Sequence, residues 1–153
     1  MKVLFVCTGN ICRSPMAQYL FKKMLSDAGR NDVTVASAGI SPAQLAVPEV
    51  AREALRAENV MDVRHESKEL SKALLEEADL VFAMENHHVE SIRARFPMFA
   101  GKVHLLNRYA GVKGRSGIRD PFGRPLASYV STLKEIKDAL ARVIEKFKTT
   151  GKA

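Results

Sequence analysis

The hydrophobic pattern of the chain switches between two periods. Short continuous apolar runs alternate with longer stretches in which apolar residues recur at helical spacing. A short apolar run bounded by turn residues reads as a strand buried on both faces. Four runs fit: Lys2 to Val6, Val33-Thr34-Val35-Ala36, Leu80-Val81-Phe82-Ala83-Met84 and Val103-His104-Leu105-Leu106. Between the first two, Ala17, Leu20, Phe21, Met24, Leu25 and Ala28 share one helix face. Ser14 is the expected N-cap of that helix, Pro15 its first residue and Gly29 its stop. Pro48 opens a helix that buries Ala51, Ala54 and Leu55 and ends near Asn59. Residues 67–77 read as another, and Asn86 caps one that runs to Arg95, where Pro97 bars continuation. The clearest periodicity comes last, through Leu126, Tyr129, Val130, Leu133, Ile136, Leu140, Val143, Ile144 and Phe147. Gly151-Lys152-Ala153 reads as a frayed tail.

Strands alternating with helices predict a single α/β domain over residues 1–153, a three-layer α/β/α arrangement with a central four-stranded parallel sheet. Ligands of such sheets bind beyond the carboxyl ends of the strands. Two loops leave from that edge. One is Cys7-Thr8-Gly9-Asn10-Ile11-Cys12-Arg13-Ser14, after strand one. The other, residues 107–125, is rich in Gly, Arg and Pro and has no periodicity, and structureless loops of that length are often functional.

Composition narrows the class. The chain of 153 residues carries a formal charge of +7, which implies an anionic partner and bears on association rather than on fold. Between Lys102 and Arg124 the bases Lys102, Arg108, Lys113, Arg115, Arg119 and Arg124 face a single acid, Asp120. That run is either a solvated face or an attractor of phosphorylated substrates. The two cysteines, Cys7 and Cys12, cannot form a disulfide framework. Their spacing lacks the further ligands of a tetrahedral zinc shell, so no metal is expected. The apolar run from Val3 to Cys7 is too short for a membrane span or a signal peptide. A soluble, cytoplasmic, monomeric protein with no membrane partner is the expectation.

A cysteine followed six positions later by an arginine is a weak signal alone, and its context strengthens it. Cys7 ends a buried strand, Gly9 permits a tight backbone, and Arg13 abuts a helix start. Loop N–H groups beside a helix N-terminus form an anion site. Arginine adds a planar fork that matches two phosphate oxygens. The same field favours the thiolate of Cys7, the nucleophilic form. A plain buried cysteine would leave Gly9, Arg13 and Ser14 unexplained.

Cys7 to Pro15 closely resembles the signature of the low-molecular-weight protein tyrosine phosphatases, and Asp120-Pro121 resembles their second motif. The likeness extends to the Ser37-Ala38-Gly39 turn, to Ala78-Asp79-Leu80 and to the long final helix. It implies that Cys7 attacks phosphorus and forms a phosphocysteine. It also implies that Arg13 and the amides of Thr8, Gly9, Asn10, Ile11, Cys12 and Ser14 hold the phosphoryl oxygens, and that Asp120 is general acid and then base. No metal or cofactor is needed. Without the resemblance Asp120 is an ordinary turn aspartate before proline. Ser14 resembles the serine that hydrogen-bonds the thiolate, and it can also serve as a helix cap. Asn10 resembles a loop brace in a left-handed conformation, supported by a histidine that His65 matches; the other reading of His65 is a surface histidine. Cys12 is either an oxidation partner of Cys7 or a small apolar filler. His87 and His88, adjacent at a helix start, are given no catalytic role.

A narrow pocket suits phosphotyrosine, whose long ring lets phosphate reach the thiolate. Gln44, Leu45 and Phe122 are the expected pocket walls, with Thr8 and Ile11 on the loop itself. The expected substrate is thus a phosphorylated protein or peptide. Two features bear on its identity. Gly123 stands where the family often has a second aromatic, and Asp120-Pro121-Phe122-Gly123 resembles a branch that removes phosphate from arginine. That branch typically has threonine where this chain has Ile11, and the apolar Ile11 favours phosphotyrosine. A non-catalytic anion- or nucleic-acid-binding module is the alternative from another class, but no nucleic-acid motif supports it.

Overall fold

The computed structural model describes residues 1–150; the tail expected at Gly151 to Ala153 lies outside them. Four parallel strands form one sheet in the order β2-β1-β3-β4, with β1 at Lys2–Cys7, β2 at Thr34–Gly39, β3 at Leu80–Ala83 and β4 at Val103–Leu105. Alternate residues of each strand point to opposite faces, and each face meets its own helices. Val3, Phe5 and Cys7 of β1 pack with Leu20 and Phe21 of α1 (Arg13–Asp27), Leu55 of α2 (Glu49–Ala57) and Ile136 and Leu140 of α6 (Leu126–Thr149). Leu4 and Val6 pack with Leu75 of α3 (Lys72–Glu77) and Val89 and Ile92 of α4 (Asn86–Arg95). The three layers therefore follow from the period-two alternation of continuously apolar strands.

The strand order carries a functional consequence. β1 is flanked by β2 on one side and β3 on the other, so the winding of the chain reverses there. Such reversal points open a crevice at the carboxyl ends of the strands, and Cys7 is the last residue of β1.

Four local expectations are corrected. The N-cap of α1 is Cys12, without a side-chain cap, because the Ser14 hydroxyl is engaged inside the loop. Pro15 consequently sits two residues into the helix, still within the turn whose N–H groups have no intrahelical acceptor. Of residues 67–77 only Lys72–Glu77 is helical, capped by Ser71, whose side chain accepts from Leu74 N at 3.2 Å. The preceding residues are drawn out as an edge, since Gly39 N donates to Lys68 O and Leu70 N to Gly39 O. α4 is capped by Glu85 rather than Asn86, in a reciprocal box with His88. The late loop starts with a short helix, α5 (Leu106–Ala110), stopped by Gly111 at φ 76°, so Leu106 leaves the fourth strand.

Candidate active site

The loop from Cys7 to Arg13 is held by a hydrogen-bond network whose direction can be derived atom by atom. Asn10 is fully buried with φ 56°, a left-handed conformation that asparagine tolerates better than most residues. Its Oδ1 accepts from Lys68 N at 3.0 Å, which fixes the other amide atom as Nδ2. The two Nδ2 protons go to Ser14 Oγ at 2.9 Å and Ser37 Oγ at 3.0 Å, and Ser37 passes its own proton to Gln18 Oε1 at 2.6 Å. Ser14 Oγ keeps its one proton beside Cys7 Sγ at 2.9 Å and donates it when that sulfur is a thiolate. The Cys7 thiolate is thus the terminal acceptor of a buried donor chain that runs through Asn10 and Ser14. His65 Nε2 donates to the Asn10 carbonyl at 2.9 Å. That places His65 against the braced residue and not free at the surface. Burial, despite this bond, lowers the His65 pKa from its usual value.

Glycine enters for a different reason than the sequence implied. Gly9 is not among the left-handed residues; a Cβ there would lie 3.3 Å from Ala43 Cβ. The tighter constraint is Gly39, where a Cβ would stand 2.7 Å from the Thr8 carbonyl. β2 can approach the loop only because that position lacks a side chain.

Arg13 is a buried cation with 3% of its side chain exposed. Its Nη1 donates to Glu85 Oε2 at 2.5 Å and to the Ile118 carbonyl at 2.9 Å, and Nη2 lies 3.7 Å from Asp120 Oδ2. Partial burial pushes the Glu85 carboxyl up, but the Arg13 bond and charge, with His87, outweigh it and hold its pKa below the usual range. Asp120 is half exposed and accepts at Oδ1 from Phe122 N at 3.1 Å, which orients the carboxylate over the loop.

These elements enclose a cavity of about 210 Å³ lined by Cys7, Thr8, Gly9, Ile11, Cys12, Arg13, Ser41, Ala43, Asp120 and Phe122. The structure therefore brings together Cys7, Arg13 and Asp120, which are separated by more than a hundred residues at the extremes. Phe122 lines the cavity. Gln44 and Leu45 do not: the loop after β2 presents Ser41 and Ala43, while Gln44 adopts φ 54° and Leu45 is exposed. Cys12 Sγ lies 3.5 Å from the Tyr129 hydroxyl, and burial pushes its thiol up to about 11.

Sequence reasoning missed Glu85, the Ile118 carbonyl and the Thr8–His88 contact. Glu85 follows β3 by two residues, so its place at a strand carboxyl end was the available signal. The ligand atoms of Glu85, His87 and His88 lie within 4.8 Å of one another. Arg13 occupies Glu85, and both ring nitrogens of His88 are hydrogen-bonded, so the group is a hydrogen-bonded cluster. The basic run is also not simply solvated, because Arg115 and Arg119 reach Glu135 of α6 at 2.6 and 3.7 Å. Among the described residues no helix is long and apolar enough to cross a membrane.

Comparison with known proteins agrees with this geometry. The profile of the family described as Low molecular weight phosphotyrosine protein phosphatase matches residues 2–153. A protein-arginine-phosphatase of Bacillus subtilis is 40% identical over 151 residues, covering 97% of each chain. A low-molecular-weight protein tyrosine phosphatase from T. tengcongensis superposes with a TM-score of 0.89 at 36% identity, covering 95% of this chain and 99% of the other. The YwlE arginine phosphatase, as a C7S mutant with a phosphorylated active-site serine, superposes with a TM-score of 0.90 at 35% identity, covering 97% and 96%. A cysteine that ends the first strand, a braced loop and a buried arginine thus accompany a match over nearly the full length, and the chain belongs to the low-molecular-weight protein tyrosine phosphatase family of cysteine-based phosphatases.

Proposed function

We propose that the protein hydrolyses phosphotyrosine in proteins through a phosphocysteine intermediate. The observation that carries this reading is the Cys7 sulfur as last acceptor of the Asn10–Ser14 donor chain, on the floor of the cavity that Arg13 and Asp120 also line. Both Nη1 protons of Arg13 are occupied by Glu85 and Ile118, which leaves its Nε–Nη2 edge for two phosphoryl oxygens. Cys7 Sγ attacks phosphorus as the bond to the phenolic oxygen breaks, and Asp120 delivers the proton to that oxygen. Water then attacks the phosphocysteine, Asp120 takes its proton, and the thiolate leaves as phosphate is released. Positioning and charge stabilisation do most of this work. The relative whose active-site serine is phosphorylated supports a covalent route by analogy.

The ring of a tyrosyl substrate would lie between Ile11, Ala43 and Phe122, an apolar slot. A second reading, arginine dephosphorylation, is favoured by the 40% identical relative named protein-arginine-phosphatase. Ile11 separates the two, because its side chain offers a guanidinium no hydrogen-bond partner. Steady-state kinetics on phosphotyrosine and phosphoarginine peptides test this: the wild type is expected to prefer phosphotyrosine, and Ile11→Thr to shift the ratio toward phosphoarginine by about tenfold, the worth of one polar contact. Preference of the wild type for phosphoarginine would replace the first reading with the second.

Asp120→Asn is expected to lower kcat by about 10²- to 10³-fold on phenyl phosphate, the usual scale for a general acid. The loss should be smallest for aryl phosphates with good leaving groups. Equal losses across a leaving-group series would remove Asp120 from the acid role.

A further inference from the structure

His88 lies 80 residues from Thr8 in sequence, and its Nε2 stands 2.8 Å from Thr8 Oγ1 at the edge of the cavity. The imidazole is almost wholly buried in the first turn of α4. Its other nitrogen, Nδ1, receives the backbone N–H of Glu85 at 3.1 Å. A backbone amide can only donate, so Nδ1 carries a lone pair and the ring proton of the neutral imidazole sits on Nε2. Burial, with the nearby charges of His87 and Arg13, pushes the His88 pKa down to about 4, so the ring is neutral at working pH.

The direction of the Thr8 contact then follows. Nε2–H donates, and the threonine oxygen accepts through one lone pair. A hydroxyl has a single proton, and here it is not spent on His88. Among the described residues Thr8 Oγ1 has no second side-chain partner. The O–H is therefore free to turn into the space that Thr8 lines together with Cys7 and Asp120. A freely rotating hydroxyl would also sample orientations that aim a lone pair at the incoming anion. His88 removes these by occupying the lone pair on the outer side.

We propose that His88 is a positioning residue that orients the Thr8 hydroxyl as a proton donor to an oxygen of the phosphoryl group in the cavity. This rests on the phosphatase reading above and adds a donor outside the loop amides and Arg13. Its benefit is preorganisation: a donor already aimed at the developing charge need not reorient during the reaction. It also gives Glu85 two separate tasks, with its side chain holding Arg13 and its backbone N–H selecting the His88 tautomer.

The test combines a spectroscopic and a kinetic measurement. In the ¹⁵N-labelled wild type, imidazole nitrogen shifts are expected to show His88 as the Nε2–H tautomer, and the Nδ1–H tautomer would overturn the proposal. Because this measurement needs no turnover, its outcome is separate from that of the phosphatase reading. Thr8→Val and His88→Asn are each expected to lower kcat on an aryl phosphate by about 10-fold and to raise the inhibition constant of vanadate similarly, below the full effect of an enclosed oxyanion donor because Thr8 is exposed. Asparagine can still accept from Glu85 N but does not reach Thr8, whereas glutamine reaches Thr8. His88→Gln is therefore expected to stay within about twofold of wild type, as is Thr8→Ser, which keeps the hydroxyl. The double variant Thr8→Val with His88→Asn should be no worse than either alone. Multiplying losses in the double variant, or a wild-type kcat and vanadate affinity in Thr8→Val, would overturn the proposal. Thr8→Val decides this second point even where a His88 variant fails to fold, since Thr8 is at the surface.

Discussion

Cys7→Ser is expected to reduce kcat/KM on any aryl phosphate by about 10⁴-fold or more, the scale seen when a covalent nucleophile is removed. The loss comes from protonation state and not from shape. A serine hydroxyl is nearly isosteric with the thiol and can keep the bond to Ser14 Oγ, now 2.9 Å from the sulfur, so the loop should keep its form. What it cannot do is ionise at neutral pH with the donor chain and helix N-terminus available to it. The described side-chain partner of Cys7 is Ser14, and a neutral hydroxyl is no general base for another hydroxyl. Affinity for inorganic phosphate and thermal stability should therefore change little while turnover collapses. Residual activity above one-hundredth of wild type would show that Cys7 is not the nucleophile.

Arg13→Lys is expected to lower kcat by about 10²- to 10³-fold, as for removal of a principal oxyanion donor. Charge is conserved in this variant, so a purely electrostatic account predicts a small effect. The structure predicts a large one. The guanidinium satisfies Glu85 and the Ile118 carbonyl through Nη1 while presenting its remaining edge to the cavity. An ammonium, with a single nitrogen in place of the planar fork, cannot serve both sides. It would either stay with Glu85 and leave the phosphoryl oxygens without their fork, or turn to the substrate and leave a partly buried carboxylate unpaired. Affinity for inorganic phosphate should fall with kcat, unlike in Cys7→Ser. A loss smaller than about fivefold would mean that one point charge suffices and that the fork geometry is not used.

The two variants separate the parts of the site. In the proposed mechanism one removes the atom that forms the bond, and the other removes the geometry that holds the group being transferred. Asp120→Asn, with its dependence on the leaving group, addresses the third part. His88 and Thr8 address a fourth, the orientation of a donor at the rim.

Local chemistry was legible where it depended on neighbours in the chain. The strands are continuous apolar runs, and α6 shows a helical period through buried Leu133, Ile136, Leu140 and Val143. Both signals arise from burial of adjacent or near-adjacent residues. The Cys7-to-Arg13 loop was visible for the same reason, since strand, loop and helix are consecutive. Errors came where a side chain had a choice of partners. Ser14 reads as a cap because serine caps helices, but Asn10 and Cys7 claim its hydroxyl. Residues 67–70 read as helix, but the edge of β2 at Gly39 offers backbone bonds that draw them out. Gln44 and Leu45 were placed on the wall by position, and the left-handed turn at Gln44 presents Ala43 and Ser41 instead.

The sequence by itself determined the class of fold, the nucleophile loop and the pairing of a late acid with an early cysteine. The first two follow from period, spacing and residue type, and the third from the resemblance of Asp120-Pro121 to the family's second motif. Only the tertiary structure decided the strand order β2-β1-β3-β4, which sets Cys7 at the reversal of the sheet, and the contacts that cross it. Glu85 against Arg13, and His88 against Thr8, join β1 and β3 ends that are 72 and 80 residues apart in the chain. No local period encodes such pairs; they exist because β1 and β3 hydrogen-bond side by side and end at the same edge.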